Sequence, residues 1–406
     1  MSRFKKKWAG ITAVILVIAL IAAYFPLQEI SRATITRRRA DEKNSAAANY
    51  LVDQTEYVHE SGLEQTSQMV GSFLFGPATV DDYYRLASAR IARENFPEAL
   101  EYVDKCLQLY NGTDTAVLAD LWLKKGCLCA ILGDRQGALY GLDQALAFNP
   151  ESPDVYLVKS QVYVEMEKNQ QALESLKHYF ELAPESDDYR MTLAQLMMTQ
   201  GDIPGAREQL TKLVNKGLAD AQVYGLRGAG YFQTEVYSSA EADFTRCIDL
   251  GGGTKDIYYY RGICRMMAEK YREAAADFES AASYGMAGTE YLQALCRYQA
   301  GEYEKALPLL AELVKQGSKD ENVFFYHGVC CMKTEDYPAA VQSLTQSVEK
   351  GEMVQASYYN RAMCYVKQND LESALKDFEL AAKNGDDEEI IKLANDVLEQ
   401  AKTVQK

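Results

Sequence analysis

Between residues 99 and 378 the chain repeats itself. Nine times an Ala is followed four positions later by a large apolar residue: Ala99 with Val103, Ala138 with Leu142, Ala172 with Leu176, Ala206 with Leu210, Ala240 with Phe244, Ala274 with Phe278, Ala306 with Leu310, Ala340 with Leu344 and Ala374 with Phe378. Successive Ala are 39, 34, 34, 34, 34, 32, 34 and 34 residues apart. Self-similarity at this period means that each unit is one supersecondary element, able to bury its apolar face only against its neighbours. Twelve positions before each Ala stands a small residue: Ala87, Gly126, Ser160, Ala194, Gly228, Gly262, Ala294, Gly328 and Ala362. Small groups at both places let two helix backbones approach closely, as an antiparallel helical hairpin requires. An aromatic precedes the small residue by four in Tyr83, Trp122, Tyr156, Tyr224, Tyr258, Phe324 and Tyr358. Five of the chain's 28 Tyr, a count that stands against 2 Trp and 13 Phe, sit at that position.

Aligned on these residues, the pattern resembles the tetratricopeptide repeat family, W-x2-L-G-x2-Y followed by A-x3-F and a closing P. It stands in YGLRGAGYFQTEVYSSAEADF from Tyr224 and in YYNRAMCYVKQNDLESALKDF from Tyr358. The resemblance implies an all-α fold: a right-handed superhelix, or α-solenoid, of nine hairpins over residues 80–388 with a capping helix over 389–406. The stretch DDEEIIKLANDVLEQAK, residues 386–402, is amphipathic with acidic residues at its start, as such a cap needs. Two departures stand out. The closing Pro occurs only as Pro150 and Pro184, and later repeats place a Gly one position earlier, at Gly217, Gly251, Gly285, Gly317, Gly351 and Gly385. Glycine ends a helix without a Cβ penalty, so it supplies the same stop. The Leu of the pattern is replaced by Arg227, Arg261, Arg361 or His327, read from sequence as amphipathic side chains at the hairpin edge. The one 39-residue spacing inserts NGTDT at 111–115, a turn-rich loop that also spells a glycosylation acceptor at Asn111.

The N-terminus reads differently. Residues 1–7 form a basic tail, and 8–28, WAGITAVILVIALIAAYFPLQ, carry no charge. As a helix rising about 1.5 Å per residue, that stretch spans roughly 31 Å, the thickness of a bilayer's hydrocarbon core. No A-x-A-like cleavage site follows it, which favours a retained signal anchor over a removed signal peptide. Residues 29–79 then read as a juxtamembrane linker, helical in part. Arg3, Lys5, Lys6 and Lys7 on one side balance Arg32, Arg37, Arg38 and Arg39 on the other, so the positive-inside count is tied. The compact N-terminal cluster favours that end inside and the repeats outside the cytoplasm.

Charge and chemistry narrow the function. Residues 44–406 hold 34 basic against 55 acidic side chains, a net of −21 that repels a phosphate backbone and argues against nucleic acid. The three His are scattered at His59, His178 and His327, and no phosphate loop or nucleophile signature is visible. The nine Cys show neither CxxC nor zinc-type spacing and read as small buried hydrophobes. Their odd count suits a reducing compartment, against the outward orientation just favoured. No cofactor, metal site or small-molecule substrate is expected, and the chain reads as non-enzymatic.

The resemblance further implies that the first helix of each hairpin lines a concave face, with its fifth, ninth and twelfth positions turned inward. In repeats six to nine these are Tyr259, Ile263 and Met266; Tyr291, Leu295 and Tyr298; Phe325, Val329 and Met332; Tyr359, Met363 and Val366. All twelve are apolar or aromatic, whereas repeats three and four offer the more polar Leu157, Gln161, Val164, Met191, Gln195 and Met198. A groove rich in Tyr and Met suits a protein or peptide partner. The competing reading is packing between neighbouring repeats. A clamp for a C-terminal carboxylate is absent: Asn360 occupies one clamp position, but Leu292, Tyr326, Gly288 and Asn322 occupy the others. The expected function is a membrane-anchored scaffold or adaptor that organises a complex at the cell envelope. The alternatives are a redox or metal-dependent enzyme using the thiols, and a passive spacer.

Overall fold

The computed structural model describes Ala47, Tyr50, Leu51, residues 79–319 and residues 322–404. They contain 19 α-helices outside the first three residues and no strand among the described residues. Two compact units divide at Ala219 and Asp220. The first holds α1 (Val80–Ile91), α2 (Phe96–Leu109), α3 (Thr115–Ile131), α4 (Arg135–Phe148), α5 (Pro153–Glu165), α6 (Asn169–Leu182), α7 (Arg190–Thr199) and α8 (Ile203–Asn215). The second holds α9 (Ala221–Gln233), α10 (Tyr237–Asp249), α11 (Lys255–Met267), α12 (Tyr271–Ser283), α13 (Glu290–Gln299), α14 (Tyr303–Lys315), α15 (Val323–Lys333), α16 (Tyr337–Glu349), α17 (Val354–Lys367), α18 (Leu371–Lys383) and α19 (Glu388–Val404). Helices α1 to α18 pair in sequence as hairpins 1 to 9, four in the first unit and five in the second.

Each hairpin closes on the same two side chains. All nine marker Ala and all nine large residues four positions later are at most 1% exposed. The small residue of the first helix faces that large side chain directly. A Cβ placed on Gly328 would lie 2.6 Å from Leu344 Cγ, and one on Gly126 2.8 Å from Leu142 Cγ, so both sites exclude even alanine without rearrangement. At these hairpins the close approach of the two helices thus rests on a missing Cβ facing a large side chain.

The turn inside each hairpin follows an equally strict rule. Five residues before every marker Ala the backbone is left-handed, at Glu94, Gly133, Glu167, Gly201, Glu235, Glu269, Gly301, Glu335 and Asn369. Six of these nine carry a side chain in a region that L-residues populate rarely. The second helix then starts on an Asp in several hairpins: Asp134, Asp202, Asp336 and Asp370 accept hydrogen bonds from the backbone N–H of Gly137, Gly205, Ala339 and Ser373. Between hairpins the Gly stops act as expected, for example Gly251 at φ 82° and Gly285 at φ 86°, while Gly385 departs from them at φ 158°.

At the C-terminal end α19 lays Ala394, fully buried, against Phe378 and Ala381 of α18, with Ile390, Val397 and Leu398 packed beside them. Among the described residues no helix is long and apolar enough to cross a membrane. The apolar stretch 8–28 and the basic residues flanking it lie outside the described residues.

Candidate interaction surface

The twelve groove positions all lie in the second unit, on α11, α13, α15 and α17. They are not equally available. Ile263, Leu295, Phe325 and Val329 are buried, at 3 to 7% exposure, and belong to the packing. Tyr259, Met266, Tyr291, Tyr298, Met332, Tyr359 and Met363 are half-buried, and Val366 is exposed. Tyr259 stands edge-on to Phe278 at 5.8 Å between ring centroids, and Tyr359 repeats the arrangement against Phe378 at 5.7 Å. Both rings are thus braced from within their own hairpin and hold one rim toward solvent. Burial raises the Tyr259 phenol above its ordinary pKa, so the hydroxyl stays protonated at neutral pH.

Tyr298 plays a different part. Its ring lies 4.9 Å from Tyr326 of the next hairpin and 5.7 Å from Tyr303 of its own. Phe232 repeats that triad one pair of hairpins earlier, 5.0 Å from Tyr260 and 5.8 Å from Tyr237. Sequence reasoning left Tyr260 unnamed and weighed Tyr326 only as a clamp position, because both sit one position beyond the chosen fifth position. Their signal was available, since each follows an aromatic neighbour in YYY and FFY.

The Arg residues at the Leu position are not edge side chains. Arg227, Arg261 and Arg361 each donate through Nε and Nη2 to both oxygens of the Asp sixteen residues ahead, Asp243, Asp277 and Asp377, at 2.7 to 3.0 Å. These carboxylates are nearly sealed, Asp277 at 2% exposure, and Arg265 adds a further donor to it at 2.8 Å. Nη1 of Arg261 and Arg361 reaches back to the Thr245 and Thr345 hydroxyls of the preceding hairpin. A planar fork with five donors can satisfy both neighbours at once, which a lysine cannot. Each guanidinium also lies under 6 Å from the ring of the Tyr three residues before it, at Tyr224, Tyr258 and Tyr358. His327 occupies the same register and meets Ser343 at 2.8 Å instead. Desolvation lowers its pKa despite the opposing influence of Asp336.

The thiols offer no reactive centre. All nine Cys are buried. Burial pushes Cys106, Cys296, Cys330 and Cys364 up to about 12 and Cys129, Cys247 and Cys331 up to about 11, with Cys127 and Cys264 raised as well. Such thiols are protonated at neutral pH and poor nucleophiles. No group of metal-ligating side chains is found among the described residues. Clamp-position Asn360 donates to the Ala356 carbonyl of its own helix at 2.8 Å.

Comparison with known proteins agrees with this architecture. Tetratricopeptide repeat models match residues 163–229, 266–321 and 332–389. The human tetratricopeptide repeat protein 16 is 29% identical over 129 residues, covering 29% of this chain and 15% of that protein. A TPR repeat-containing protein of Methanocaldococcus jannaschii is 29% identical over 119 residues, covering 28% of this chain and 20% of that one. The matched stretches thus span a fifth or less of either relative. Among solved structures, YrrB, described as a TPR protein with an unusual peptide-binding site, aligns with a TM-score of 0.40 at 22% identity over 47% of this chain and 99% of its own. A tetratricopeptide repeat protein from Parabacteroides merdae aligns at 0.36 and 18% identity over 60% of this chain and 96% of its own. The chain contains tetratricopeptide repeats on an all-helical, solenoid-like fold.

Proposed function

We propose that this protein is a membrane-anchored scaffold that binds protein partners through the exposed rims of α11, α13, α15 and α17 and so organises a complex at the cell envelope. The observation that carries the reading is the row of half-buried Tyr259, Tyr291 and Tyr359, the first and last braced by Phe278 and Phe378, with Met266, Met332 and Met363 on the same helices. Rigid aromatic edges offer contact area at low entropic cost, and Met repacks around different ligands. The anchor is residues 8–28, with the N-terminus inside and the repeats outside the cytoplasm, supported by the length of that uncharged stretch and its basic flank. Binding rather than thiol catalysis is supported by the burial of every Cys.

Replacing Tyr259, Tyr291 and Tyr359 together by Ser tests the surface. Thermal unfolding should move down as the packed rings are lost, helicity at the assay temperature should stay near wild type, and recovery of the partners that co-purify with the wild-type chain should fall at least tenfold. Phe325 is left untouched because at 6% exposure its loss would test folding instead. Unchanged recovery with the triple variant rejects this face. Protease access to the repeats in intact and in opened cells tests the orientation separately.

A further inference from the structure

The first unit contains a polar contact that no part of the repeat pattern requires. Lys124 of α3 is 2% exposed, and its ammonium donates to Asp120 Oδ1 at 2.5 Å. The two oxygens of Asp120 also accept from two phenols, Oδ1 from Tyr50 at 2.8 Å and Oδ2 from Tyr84 of α1 at 3.0 Å. The Lys124 ammonium lies 5.5 Å from the Tyr50 ring and 5.1 Å from the Tyr84 ring. Three of these four residues belong to the first helices of hairpins 1 and 2. The fourth arrives from 34 residues upstream of Tyr84, in the stretch read from sequence as a linker.

Tyr50 does not arrive alone. Ala47 and Leu51 are helical like Tyr50, and at spacings of three and four residues the trio shares one face. Ala47 is 2% and Leu51 1% exposed and Tyr50 is half-buried, so that face is turned into protein. A cap that merely covered the first hairpin would need only apolar contacts. Here a single hydroxyl is read by a carboxylate whose other partners are supplied by two different hairpins. Burial and Asp120 both raise the Tyr50 phenol well above its ordinary range, and Asp120 and Tyr84 keep Lys124 charged against the burial that opposes it.

We propose that α1 and α3 together form a binding site for a helical segment bearing Tyr, with Ala three positions before it and Leu one position after it. The segment carrying Ala47, Tyr50 and Leu51 is its occupant in cis. The receptor half of the site is Tyr84, Asp120 and Lys124. The consequence is that the site on α1 and α3 is closed to partners while Tyr50 and Leu51 occupy it. This inference does not rest on the partner-binding face of the second unit, which uses none of these residues.

The test offers the site its own ligand in trans, using the full-length chain in detergent and a fluorescent peptide of residues 44–57, NSAAANYLVDQTEY. In the double variant Tyr50→Ala, Leu51→Ala the docked segment loses its anchors, and the peptide should bind. To the wild type it should bind at least tenfold more weakly, because the tethered copy competes at high effective concentration. Peptide carrying Tyr50→Phe should bind the variant at least tenfold more weakly than the unaltered peptide. No binding to a variant of wild-type helicity, or equal binding to both chains, overturns the proposal. Should the double variant fail to fold, a protease site inserted between residues 60 and 75 of the otherwise wild-type chain replaces it. After cleavage the N-terminal fragment should stay associated and be displaced by excess peptide. Its release without peptide, or retention that peptide cannot reverse, counts against the site.

Discussion

Hairpins 2 and 3 in the first unit and hairpins 6 and 9 in the second place a cation at the same register, thirteen residues before the marker Ala, and use it differently. Lys125 and Lys159 reach back to Asp104 and Asp143 of the preceding hairpin at 2.7 and 2.6 Å, in pairs whose carboxylates are 39% and 58% exposed. Arg261 and Arg361 seize the Asp of their own hairpin with two donors and keep a third for the Thr that stands where those Asp stand in the first unit. The backbone positions are equivalent, so the contrast isolates what the head group contributes. A point charge links one neighbour through a direct but solvent-exposed contact, whereas a fork ties two hairpins together in a nearly dry setting. At this register the link between repeats is therefore a charge-assisted hydrogen bond to Thr in the second unit and an ion pair in the first, in addition to apolar packing.

The largest expected effect breaks the Arg rung. Asp277→Ala leaves the guanidiniums of Arg261 and Arg265 without their shared acceptor in a buried setting and should cost about 3–5 kcal/mol. Hydrogen exchange should localise the loss to hairpin 6 and its neighbours. Hairpin 8 allows the converse experiment. His327→Arg alone buries a cation without an acid, and adding Ser343→Asp should recover about 1–3 kcal/mol of that loss as coupling energy. The transplant should also abolish a pH response. His327 has a folded-state pKa below its unfolded value of about 6.5, so the unfolded chain takes up the proton first as pH falls. Wild-type hairpin 8 should then be most stable above that value and lose stability below it, while the Arg–Asp version stays flat across the same window.

Smaller effects sharpen the comparison. Glu269→Gly and Glu335→Gly relieve left-handed backbone at φ 58° and 66° and should each stabilise by up to about 1 kcal/mol in thermal unfolding. Equal gains in hairpins 6 and 8 would show that their difference resides in the rung and not in the turn. Asp143→Ala should cost less than about 1 kcal/mol, because an exposed Lys–carboxylate pair is worth little. A loss as large as that of Asp277→Ala would erase the distinction drawn between the two units.

Much of the fold was legible because the closing contact of each hairpin is built from residue size, which a sequence displays directly. Ala274 and Phe278 announce themselves. The Arg–Asp pairs stayed hidden because a sixteen-residue separation crosses the hairpin turn and corresponds to no periodicity of a single helix. In hindsight the two columns vary together: Arg with Asp in hairpins 5, 6 and 9, His327 with Ser343 in hairpin 8, and Leu86 and Leu193 with the uncharged Tyr102 and Gln209 in hairpins 1 and 4. The left-handed turn was missed for a similar reason, since Glu at that position carries no propensity that signals it. Within the candidate surface, sequence could not tell Phe325, sunk in the packing, from Tyr359, half-open, because both are aromatic at the same phase. The contact of Tyr50 with Asp120 is beyond any local pattern.

The sealed thiols have a consequence in time. Seven of the nine hairpins carry at least one Cys, and only hairpins 3 and 4 carry none. A thiol that is both hidden and protonated can meet an oxidant or a label only when its own hairpin opens. Its rate of modification is then a clock for that opening, readable hairpin by hairpin along the chain. Were the repeats held in an oxidising compartment, survival of these unpaired cysteines would be limited by how often the repeats part and not by their chemistry.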